Sequence, residues 1–582
     1  MERLYEAPYA DAAGEFKVAV GENNGRTAWF RFDEAGHAHA FVLGQSGSGK
    51  SVFLHNVIGN ALLQYAPDSL QLYLLDFKLG GVEFNRYREA RQVRALLVDN
   101  SDTQITLEIL RELYETMRRR GELLRNAGVS SLRDYNAGHP EARLPRIVLA
   151  VDECHELFRD RMDKTQTEIN AIVTRIAKEG RSQGVHLLLA TQTLANANIP
   201  SELLNNVSDH YLLKCAQNDA EKLVRDSGKQ TSALTTGWLL YAHEDKRELF
   251  QAYFAGRERM DENLRRILEK SASFPSEKGF FFSGKQRFPF DAGVLEAIAL
   301  KSRRHPAVLL GRSVDLRQSP VGFPLKPGLG ENAIFFGINT QEQTLRVLFD
   351  AIVSLMVSFR HLALQGRFYV LNCLNLQEDS PAEALLHAME SYGCTVVEGA
   401  DRGKLLATLA GEVRQRTARE CVVAVLGQER FREVRLEMPL PSGEESTPAE
   451  GQAPTASHLG ALGALRPRAE KRTYKSELRY LLENGAEQGV HFLLQVDKPG
   501  NLLFENVLTQ QAVFSMFKHL VMLRSAPDAA LKLRLSDDIK LENLSEEPER
   551  LRAYYYNDEE GAYTLFTPYL LPNRNDLEAF FK

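Results

Sequence analysis

The chain has 582 residues, 44% of them hydrophobic, which is enough for roughly two to four domains with separate cores. Charged residues make up 25% of the sequence and the formal net charge is −6, so the composition excludes a wholly basic nucleic-acid coat and a disordered acidic tail. The five cysteines are scattered without Cys-x-x-Cys spacing, which argues against a disulfide framework or a zinc site and favours a reducing cytosol. No run of about 18 apolar residues free of charge occurs, and the N-terminus lacks a signal-peptide core, so we expect a cytoplasmic chain without a membrane span.

The first half alternates short apolar runs with amphipathic helical stretches, a pattern typical of a parallel sheet covered by helices on both faces. We therefore predict an α/β fold with strands at residues 40–43, 72–75, 147–151 and 186–190. Ligands of such sheets bind at the carboxyl ends of the strands, so site residues are expected there.

The first strand leads into a phosphate-binding loop and then into a helix. The loop consists of Gly44, Gln45, Ser46, Gly47, Ser48, Gly49, Lys50 and Ser51. Its glycines allow backbone amides to surround phosphate oxygens at the helix N-terminus, Lys50 would reach the β- and γ-phosphates, and the Ser51 hydroxyl would bind Mg²⁺. The alternative is a Gly/Ser turn that merely precedes a helix.

A hydrolytic P-loop site needs acidic residues on a neighbouring strand, and Asp152 and Glu153 directly follow the apolar run 147–151. Asp152 suits the magnesium shell, whereas Glu153 suits the activation of the attacking water. The alternative is an acidic helix N-cap.

The strand at 186–190 ends in Thr191 and Gln192, and Gln192 is a candidate sensor of the γ-phosphate. An amide that only caps the strand end is the alternative. His186, inside the same strand, is expected to be a core or edge histidine rather than a ligand.

Four segments, residues 44–51, 74–78, 150–153 and 180–192, resemble the motor domains of the FtsK/SpoIIIE family in identity and order. The likeness covers about residues 15–255. It implies a RecA-like P-loop fold, ATP and Mg²⁺ as ligands, a ring of identical subunits, and ATP-driven translocation of double-stranded DNA without sequence specificity. In the type VII secretion branch it implies protein export instead, and a membrane-tethered or accessory partner stays open.

The resemblance also implies roles for two basic residues. Arg181 matches the position from which one subunit completes the ATP site of its neighbour in trans, with Lys214 as a weaker alternative. An arginine paired with Glu179 at the surface is the other interpretation. Lys78 opens a loop that faces the ring centre in the family and is a candidate polymer contact, although a lysine on a loop is ordinarily just solvated.

Two clusters of arginines could supply positive charge for DNA. The first lies between residues 86 and 94 and the second between residues 118 and 125. The second cluster falls near the end of a helix predicted over residues 102–127, where arginines also complement the helix dipole, so a solvated face is favoured for it.

The second half resembles a repeat of the first without its catalytic residues. Residues 488–494 match residues 183–189 at every position but one, and residues 368–372 echo residues 72–76. At the P-loop position, residues 337–344 keep the first glycine and end in Thr344, but Glu342 and Gln343 replace the later Gly-Lys pair. The run 422–427 is apolar where Asp-Glu would stand, and Ala486 replaces the arginine, so we predict that this copy does not hydrolyse ATP.

The predicted organisation is therefore an active RecA-like domain at residues 1–256, a connecting segment at 257–311, and a degenerate RecA-like domain at 312–582. An Ala/Gly/Pro-rich insertion at about residues 438–473 is expected to be a flexible loop.

Three classes of function fit this organisation. A DNA-translocating ATPase is the first, a protein-export ATPase is the second, and a structural NTPase that does not hydrolyse nucleotide is the third. The adjacent Asp152 and Glu153 argue against the third class.

Overall fold

The computed structural model describes most of the chain. The described residues are 2–581 except 79–81, 99–102, 160–162, 196, 276–278, 302, 338–340, 375, 378–379, 442–471, 498–512, 514, 527–532, 534, 537–538, 546, 571 and 573. They form two compact units, Met1–Gln286 (unit 1) and Arg287–Lys582 (unit 2).

The strands of unit 1 form one sheet. They are β1 Phe16–Asn23, β2 Arg26–Phe32, β3 Ala40–Leu43, β4 Leu70–Asp76, β5 Val93–Val98, β6 Arg146–Asp152, β7 Val185–Thr191, β8 Asp209–Leu212, β9 Trp238–His243, β10 Lys246–Ala252 and β11 Phe280–Ser283. Their order is β11-β5-β4-β6-β7-β3-β8-β9-β10-β1-β2. The first seven strands in that order run parallel, and the rest are joined by antiparallel pairs.

The helices of unit 1 lie between these strands. They are α1 Glu2–Glu6, α2 Lys50–Gln64, α3 Val82–Asn85, α4 Thr103–Asn126, α5 Leu132–Gly138, α6 Lys164–Glu179, α7 Ser201–Asn205, α8 Gln217–Leu223, α9 Gly228–Ser232 and α10 Arg257–Ser271. The four predicted strands are confirmed as β3, β4, β6 and β7, and the predicted helix at 102–127 is α4.

Unit 2 is built from a second sheet and its own helices. The strands are β12 Ala307–Ser313, β13 Pro320–Pro324, β14 Ala333–Phe336, β15 Arg367–Asn372, β16 Cys394–Val397, β17 Cys421–Leu426, β18 Val490–Val496, β19 His519–Met522, β20 Ala553–Asn557 and β21 Ala562–Pro568. The helices are α11 Ala292–Lys301, α12 Gln341–His361, α13 Pro381–Glu390, α14 Asp401–Gln415, α15 Arg432–Arg435, α16 Tyr474–Asn484 and α17 Arg574–Phe581.

The two sheets share one topology. In unit 2 the order is β13-β12-β21-β20-β19-β14-β18-β17-β15-β16, which is the order of unit 1 read from the opposite edge. The described residues of unit 2 include no counterpart of β11. The strand that leads into the P-loop, β3, thus corresponds to β14, and β6 corresponds to β17. The repeat inferred from short sequence matches is therefore a repeat of the whole sheet.

Burial on both faces explains why the central strands are almost uninterrupted apolar runs. Along β14, Ala333 and Phe335 belong to one buried cluster, whereas Ile334 and Phe336 belong to another. Since successive side chains of a strand point to opposite faces, the two clusters are the two layers between sheet and helices.

The segment predicted to connect the units is itself folded. Helix α10 and strand β11 belong to unit 1, and β11 pairs with β5 at the edge of the first sheet. Helix α11 and strand β12 belong to unit 2. The division falls after Gln286, inside the predicted segment.

Most of the predicted insertion, residues 442–471, lies outside the described residues. Its two flanks meet, because Pro439 and Thr473 form an antiparallel bridge. Two backbone hydrogen bonds, Leu440 N to Arg472 O (3.2 Å) and Tyr474 N to Met438 O (3.1 Å), reinforce it.

None of the helices in the described part of the chain combines the length and the apolar character that a membrane span requires.

Candidate functional site

The loop of residues 44–51 lies at the carboxyl end of β3, in the turn that leads into α2. Gly47 and Gly49 have φ angles of 76° and 103°, a region that residues with a side chain rarely adopt. A Cβ at Gly49 would also meet Gly237 N at 3.2 Å. Gly237 N donates to Ser48 O at 2.9 Å, so the start of β9 supports the loop from one side.

Neighbouring strands hold the beginning of the loop. Gly44 N donates to Thr191 O at 3.1 Å, and Gln45 N donates to Lys214 O at 2.9 Å. Further on, the first hydrogen bond of α2 joins Phe53 N to Gly49 O at 3.0 Å. Because the first amides of a helix have no partner within it, those at the start of α2 can bind an anion.

Lys50 joins the loop to the two acidic residues at the end of β6. Its Nζ contacts Asp152 Oδ1 and lies 3.0 Å from Glu153 Oε1. All three side chains are buried. Burial alone would disfavour the lysine charge, but the two carboxylates raise the pKa of Lys50. The predicted triad of lysine, aspartate and glutamate is therefore brought together, although its members come from distant parts of the sequence.

The oxygen atoms near Lys50 fit a magnesium ion. Asp152 Oδ2 is buried and has no hydrogen-bond partner among the described residues. Ser51 Oγ, one residue after Lys50, adds a hydroxyl oxygen. Carboxylate and hydroxyl oxygens are hard ligands of the kind that Mg²⁺ prefers. Burial raises the pKa of Asp152 despite the positive charge of Lys50, and a divalent cation would oppose that effect.

Glu153 is held in an uncommon backbone conformation. Its φ is 54°, in the left-handed region, where a residue with a Cβ is strained. Its carboxylate accepts hydrogen bonds from Gln192 Nε2 (2.5 Å) and Gln192 N (3.2 Å). Although burial opposes ionisation, Lys50 and Gln192 together lower the pKa of Glu153, so the side chain is an anion at neutral pH.

His155 lies beside Glu153 and was not among the residues predicted from the sequence. Its Nδ1 is 3.0 Å from Thr191 Oγ1 and 3.5 Å from Glu153 Oε2. The 3₁₀ turn Cys154–Phe158 after β6 brings the ring back over the end of β7. A histidine two residues beyond an acidic pair gives no distinctive signal in the sequence.

Two more acidic residues at this edge were also missed. Asp76 ends β4 and accepts hydrogen bonds from Lys78 N (3.1 Å) and Glu83 N (3.0 Å), which fixes the start of α3. Burial, together with the nearby Asp152 carboxylate, raises the pKa of Asp76 to about 6. A polar residue at the carboxyl end of a strand was the available signal.

Glu83, on α3, contacts Ser51, one of the two predicted magnesium ligands. Its Oε1 accepts from Ser51 Oγ at 3.0 Å and from Lys78 Nζ at 2.9 Å, and its Oε2 lies 3.2 Å from His55 Nε2. His55 and Lys78 lower the pKa of Glu83. These contacts join residues up to 32 positions apart, and the sequence pattern carried no sign of them.

Arg181 is exposed and lies four residues before β7, at the amino end of that strand. The P-loop follows the carboxyl end of β3, which runs parallel to β7. Arg181 and the P-loop of the same chain therefore lie at opposite edges of the sheet. Among the described residues its guanidinium has no ion pair, with Glu179 or with any other carboxylate. Lys214, in contrast, directly adjoins its own P-loop through the backbone.

Lys78 lies at the border of the site, and its ammonium group pairs with Glu83. Residues 79–81, the rest of its loop, are outside the described residues. In the second predicted basic cluster, Arg120 is buried and donates to Gln183 O at 3.0 Å. Arg118 and Arg119 have glutamates of α4 within 4 Å. Exposed glutamates thus accompany Arg118 and Arg119 on α4, whereas Arg120 is withdrawn into the interior.

At the equivalent edge of unit 2, the described residues lack the acidic pair. Strand β17 ends at Leu426, and Gly427 follows with a φ of 67°, so Leu426 and Gly427 occupy the places of Asp152 and Glu153. Gly427 N donates to Gln495 Oε1 at 2.7 Å. The carboxylate pair is thus replaced by an apolar side chain and by a glycine that suits the left-handed turn.

The loop after β14 differs as well. Helix α12 begins at Gln341, which aligns with Ser48, whereas α2 begins two positions later, at Lys50. Residues 338–340 lie outside the described residues. Asp497 stands at the position of Gln192 and is hydrogen-bonded to Glu429, and burial and Asp497 raise the pKa of Glu429. Paired carboxyl groups there would repel a phosphate.

Comparisons with known proteins identify the first unit. Residues 1–196 match the model of the FtsK/SpoIIIE family. Over 220 residues the chain is 29% identical to the DNA translocase SpoIIIE of Bacillus subtilis (strain 168), an alignment that covers 35% of this chain and 26% of that protein. Over 192 residues it is 30% identical to the ESX-5 secretion system protein EccC5 of Mycobacterium tuberculosis (strain H37Rv), covering 31% of this chain and 13% of that protein.

A solved structure is similar over nearly the whole chain. The cytoplasmic domain of the type VII secretion ATPase EccC of Thermomonospora curvata aligns with a TM-score of 0.62 and 17% sequence identity, covering 99% of this chain and 67% of that chain. At this identity the likeness concerns the fold, and it extends through both units. The matched region spans only 26% of SpoIIIE and 13% of EccC5. The chain carries, in residues 1–196, a nucleotide-binding P-loop ATPase domain of the FtsK/SpoIIIE family.

Proposed function

We propose that this chain is a subunit of an ATP-driven motor that moves a polymer, and that it hydrolyses ATP at one site, in unit 1. The observation that carries the proposal is the convergence of Lys50, Asp152, Glu153 and Gln192 at the carboxyl edge of the first sheet. Lysine, metal ligand, base and sensor are the parts that phosphoryl transfer to water requires.

Each side chain has a role that follows from its position. Lys50 and the amides at the start of α2 would bind the phosphates, while Ser51 and Asp152 would hold Mg²⁺. Mg²⁺ held there would supply positive charge to offset the negative charge that develops on the phosphate oxygens. Glu153, kept ionised and oriented by Gln192, would accept a proton from the attacking water.

Unit 2 serves in this proposal as a scaffold, a ring-completing module or a regulator. Leu426 offers no metal ligand, and Gly427 offers no base. Gln343 in place of the lysine cannot supply a positive charge to a triphosphate. Several losses at one edge support this assignment better than any single substitution would.

The subunits are proposed to form a ring in which Arg181 of one copy completes the ATP site of the next. An exposed arginine at the edge opposite to its own P-loop suits a head-to-tail contact, because such a contact brings opposite faces of two copies together. A guanidinium supplied in this way would stabilise charge in the transition state.

Double-stranded DNA is the first polymer that we propose, on the strength of the sequence likeness to DNA translocases. Non-specific DNA binding needs exposed, uncompensated positive charge that can displace counterions. In the segment of residues 86–94, Arg88 is an exposed candidate: it stacks on Phe281 with its guanidinium carbon 3.9 Å from the ring centre, and its Nε lies 3.8 Å from the exposed Glu89 carboxylate. Lys78 is a further candidate contact.

Protein export is a second candidate, favoured by a specific observation. The fold match to the type VII secretion ATPase covers 99% of the chain, including the degenerate unit. Burial of Arg120 also removes one arginine from the second predicted DNA-binding cluster.

The experiment that separates the two compares ATP turnover with and without linear duplex DNA, with Glu153→Gln as the inactive control. A DNA translocase is expected to show turnover that rises with DNA and loses that stimulation as salt is added. Robust turnover that ignores DNA at low salt would eliminate DNA as the polymer and leave export. Thr344→Ala in unit 2 is the matched control for the P-loop of unit 1, and a large loss of turnover there would contradict the assignment of a single active site.

A further inference from the structure

A cluster of two histidines and an aspartate lies at the amino ends of the strands beside the P-loop strand, away from the ATP site. His37 precedes β3, Asp209 begins β8, and His243 ends β9. The strand register places them together, because Asp209 pairs with Ala40 on one side and with His243 on the other. The carboxyl end of β3 carries the P-loop, so the sheet separates the cluster from that loop.

The three side chains converge on one carboxylate oxygen. Asp209 Oδ1 lies 2.8 Å from His37 Nδ1 and 3.4 Å from His243 Nδ1. The same oxygen accepts from Tyr241 OH at 2.7 Å, and Asp209 Oδ2 accepts from Ser208 Oγ at 3.0 Å. One ligand atom from each of the three residues lies within 4.8 Å of the others. The tyrosine and the serine hold the carboxylate in place.

One polar atom of the cluster has no hydrogen-bond partner among the described residues. This atom is Nδ1 of His243, a residue that is 9% exposed, and it lies 3.4 Å from Asp209 Oδ1. The ring centres of His37 and His243 lie 4.2 Å apart, and the Nδ1 atoms of both rings lie within 3.4 Å of the same Asp209 oxygen. A buried imidazole nitrogen without a partner costs free energy unless something binds it.

The position of His37 is fixed independently of the cluster. Asp33 Oδ1 accepts from the amides of Ala35, Gly36 and His37 at 2.8, 2.8 and 3.0 Å. Asp33 N in turn donates to His37 O at 2.9 Å. This closed turn presents the imidazole before any ligand binds, which reduces the entropy lost on binding.

We propose that His37, Asp209 and His243 form a binding site for a divalent transition-metal ion, Zn²⁺ first. Two imidazoles and a carboxylate are ligands that zinc prefers, with metal–ligand distances of about 2.0–2.2 Å. Tetrahedral geometry then separates ligand atoms by about 3.4 Å, close to the spacing of the cluster. Metal binding would displace the proton that His37 Nδ1 shares with Asp209, and water would fill the fourth position.

A simple hydrogen-bonded pair of His37 and Asp209 explains only part of this arrangement. It gives no partner to His243 Nδ1 and no reason for a second imidazole to face an oxygen that already accepts two hydrogen bonds. A metal ion satisfies all three groups. It would also tie the segment before the P-loop strand to β8 and β9.

The test uses the full chain, stripped of metal with a chelator and then dialysed against Zn²⁺ in excess Mg²⁺, which occupies oxygen-rich sites. Bound zinc is measured by mass spectrometry. The wild type and the control His387→Asn, an exposed histidine of unit 2, are expected to retain about one equivalent. His37→Asn and His243→Phe are expected to bind zinc about tenfold or more weakly. Circular dichroism confirms that each variant is folded.

A second measurement needs no variant. X-ray absorption of the wild-type zinc complex should show two imidazoles and oxygen ligands around the metal. Failure of the wild type to retain zinc, equal retention by the folded variants, or a zinc shell without imidazole would each overturn the proposal. Zinc that is bound elsewhere would survive both substitutions and is therefore excluded by the same experiment.

Discussion

Substitution of Arg181 by alanine tests whether the ATP site is completed by a neighbouring subunit. Arg181 precedes β7, whose seven residues, Val185–Thr191, span about 20 Å, and the P-loop lies beyond the far end of the adjacent parallel strand. An arginine side chain cannot cover that distance. Arg181 therefore cannot act on the ATP site of its own chain, and any effect that it has on catalysis must be exerted at the site of another copy.

The expected loss is large and confined to turnover. An arginine supplied in trans contributes about 10³–10⁵ in kcat to phosphoryl transfer, so Arg181→Ala should fall to near background. ATP affinity should change little, because Lys50 and the amides of the P-loop remain. Turnover is followed by phosphate release, and affinity is followed by titration with a fluorescent ATP analogue.

Mixing subunits gives the decisive version of this assay. In an equimolar mixture of Arg181→Ala and Glu153→Gln subunits, half of the intact Glu153 sites face a neighbour with Arg181. Turnover should recover to about a quarter of the wild-type rate although each variant alone is inactive. Lys178→Ala, an exposed change near the end of α6, is the matched control and should stay active. A mixture as inactive as its components would refute the role in trans, as would a loss of ATP binding in Arg181→Ala.

Two further predictions concern unit 2. Glu477 is fully buried and accepts hydrogen bonds from Arg414 (2.6 and 3.1 Å) and from Arg472 (2.9 and 2.9 Å). Glu477→Ala leaves both arginines without this partner, so it should lower the free energy of unfolding in urea by about 3 kcal/mol. Burial opposes the charge of Glu477, but the two arginines lower its pKa, and the resulting stabilisation is present above the ordinary carboxyl pKa. It is lost as the pH falls through the lower pKa of the folded state, so Glu477→Ala should show a flatter acid dependence of stability than the wild type. Parallel stability curves for the two proteins would contradict the ion pair. Deletion of residues 442–471 with a short Gly-Ser linker should leave ATP turnover and the melting temperature unchanged, because Pro439 and Thr473 already bring the flanks together; loss of folding would show that the insertion is structural.

Much of the fold followed from local pattern. The central strands are short apolar runs because both faces of the sheet are buried, and periodicity detects that directly. The P-loop and the pair Asp152 and Glu153 were predictable because phosphate binding demands glycines, a lysine and acidic residues at fixed places relative to strands. The structure adds the contact of Lys50 with both carboxylates.

The features of the site that could not be predicted from the sequence depend on tertiary contacts. Glu83 touches Ser51 only because α3 folds back from the end of β4. The cluster of His37, Asp209 and His243 forms only because three strands start or end at the same edge. Arg120 falls on the apolar stripe of α4, three residues after Met117 and four before Leu124, and is buried, whereas Arg118 and Arg119 are exposed. Helical periodicity thus identifies its face, but not the carbonyl of Gln183 that accepts its hydrogen bond.

The central claim is that one site, built on Glu153, accounts for all ATP hydrolysis by this chain. The most direct measurement is steady-state ATP turnover of Glu153→Gln at saturating ATP and Mg²⁺, alongside its affinity for ATP. The account predicts a fall in kcat of about 10²–10⁴ with affinity nearly unchanged, because glutamine keeps the size of the side chain but cannot accept the proton. Turnover within a few-fold of the wild type would contradict it and would place hydrolysis at another site.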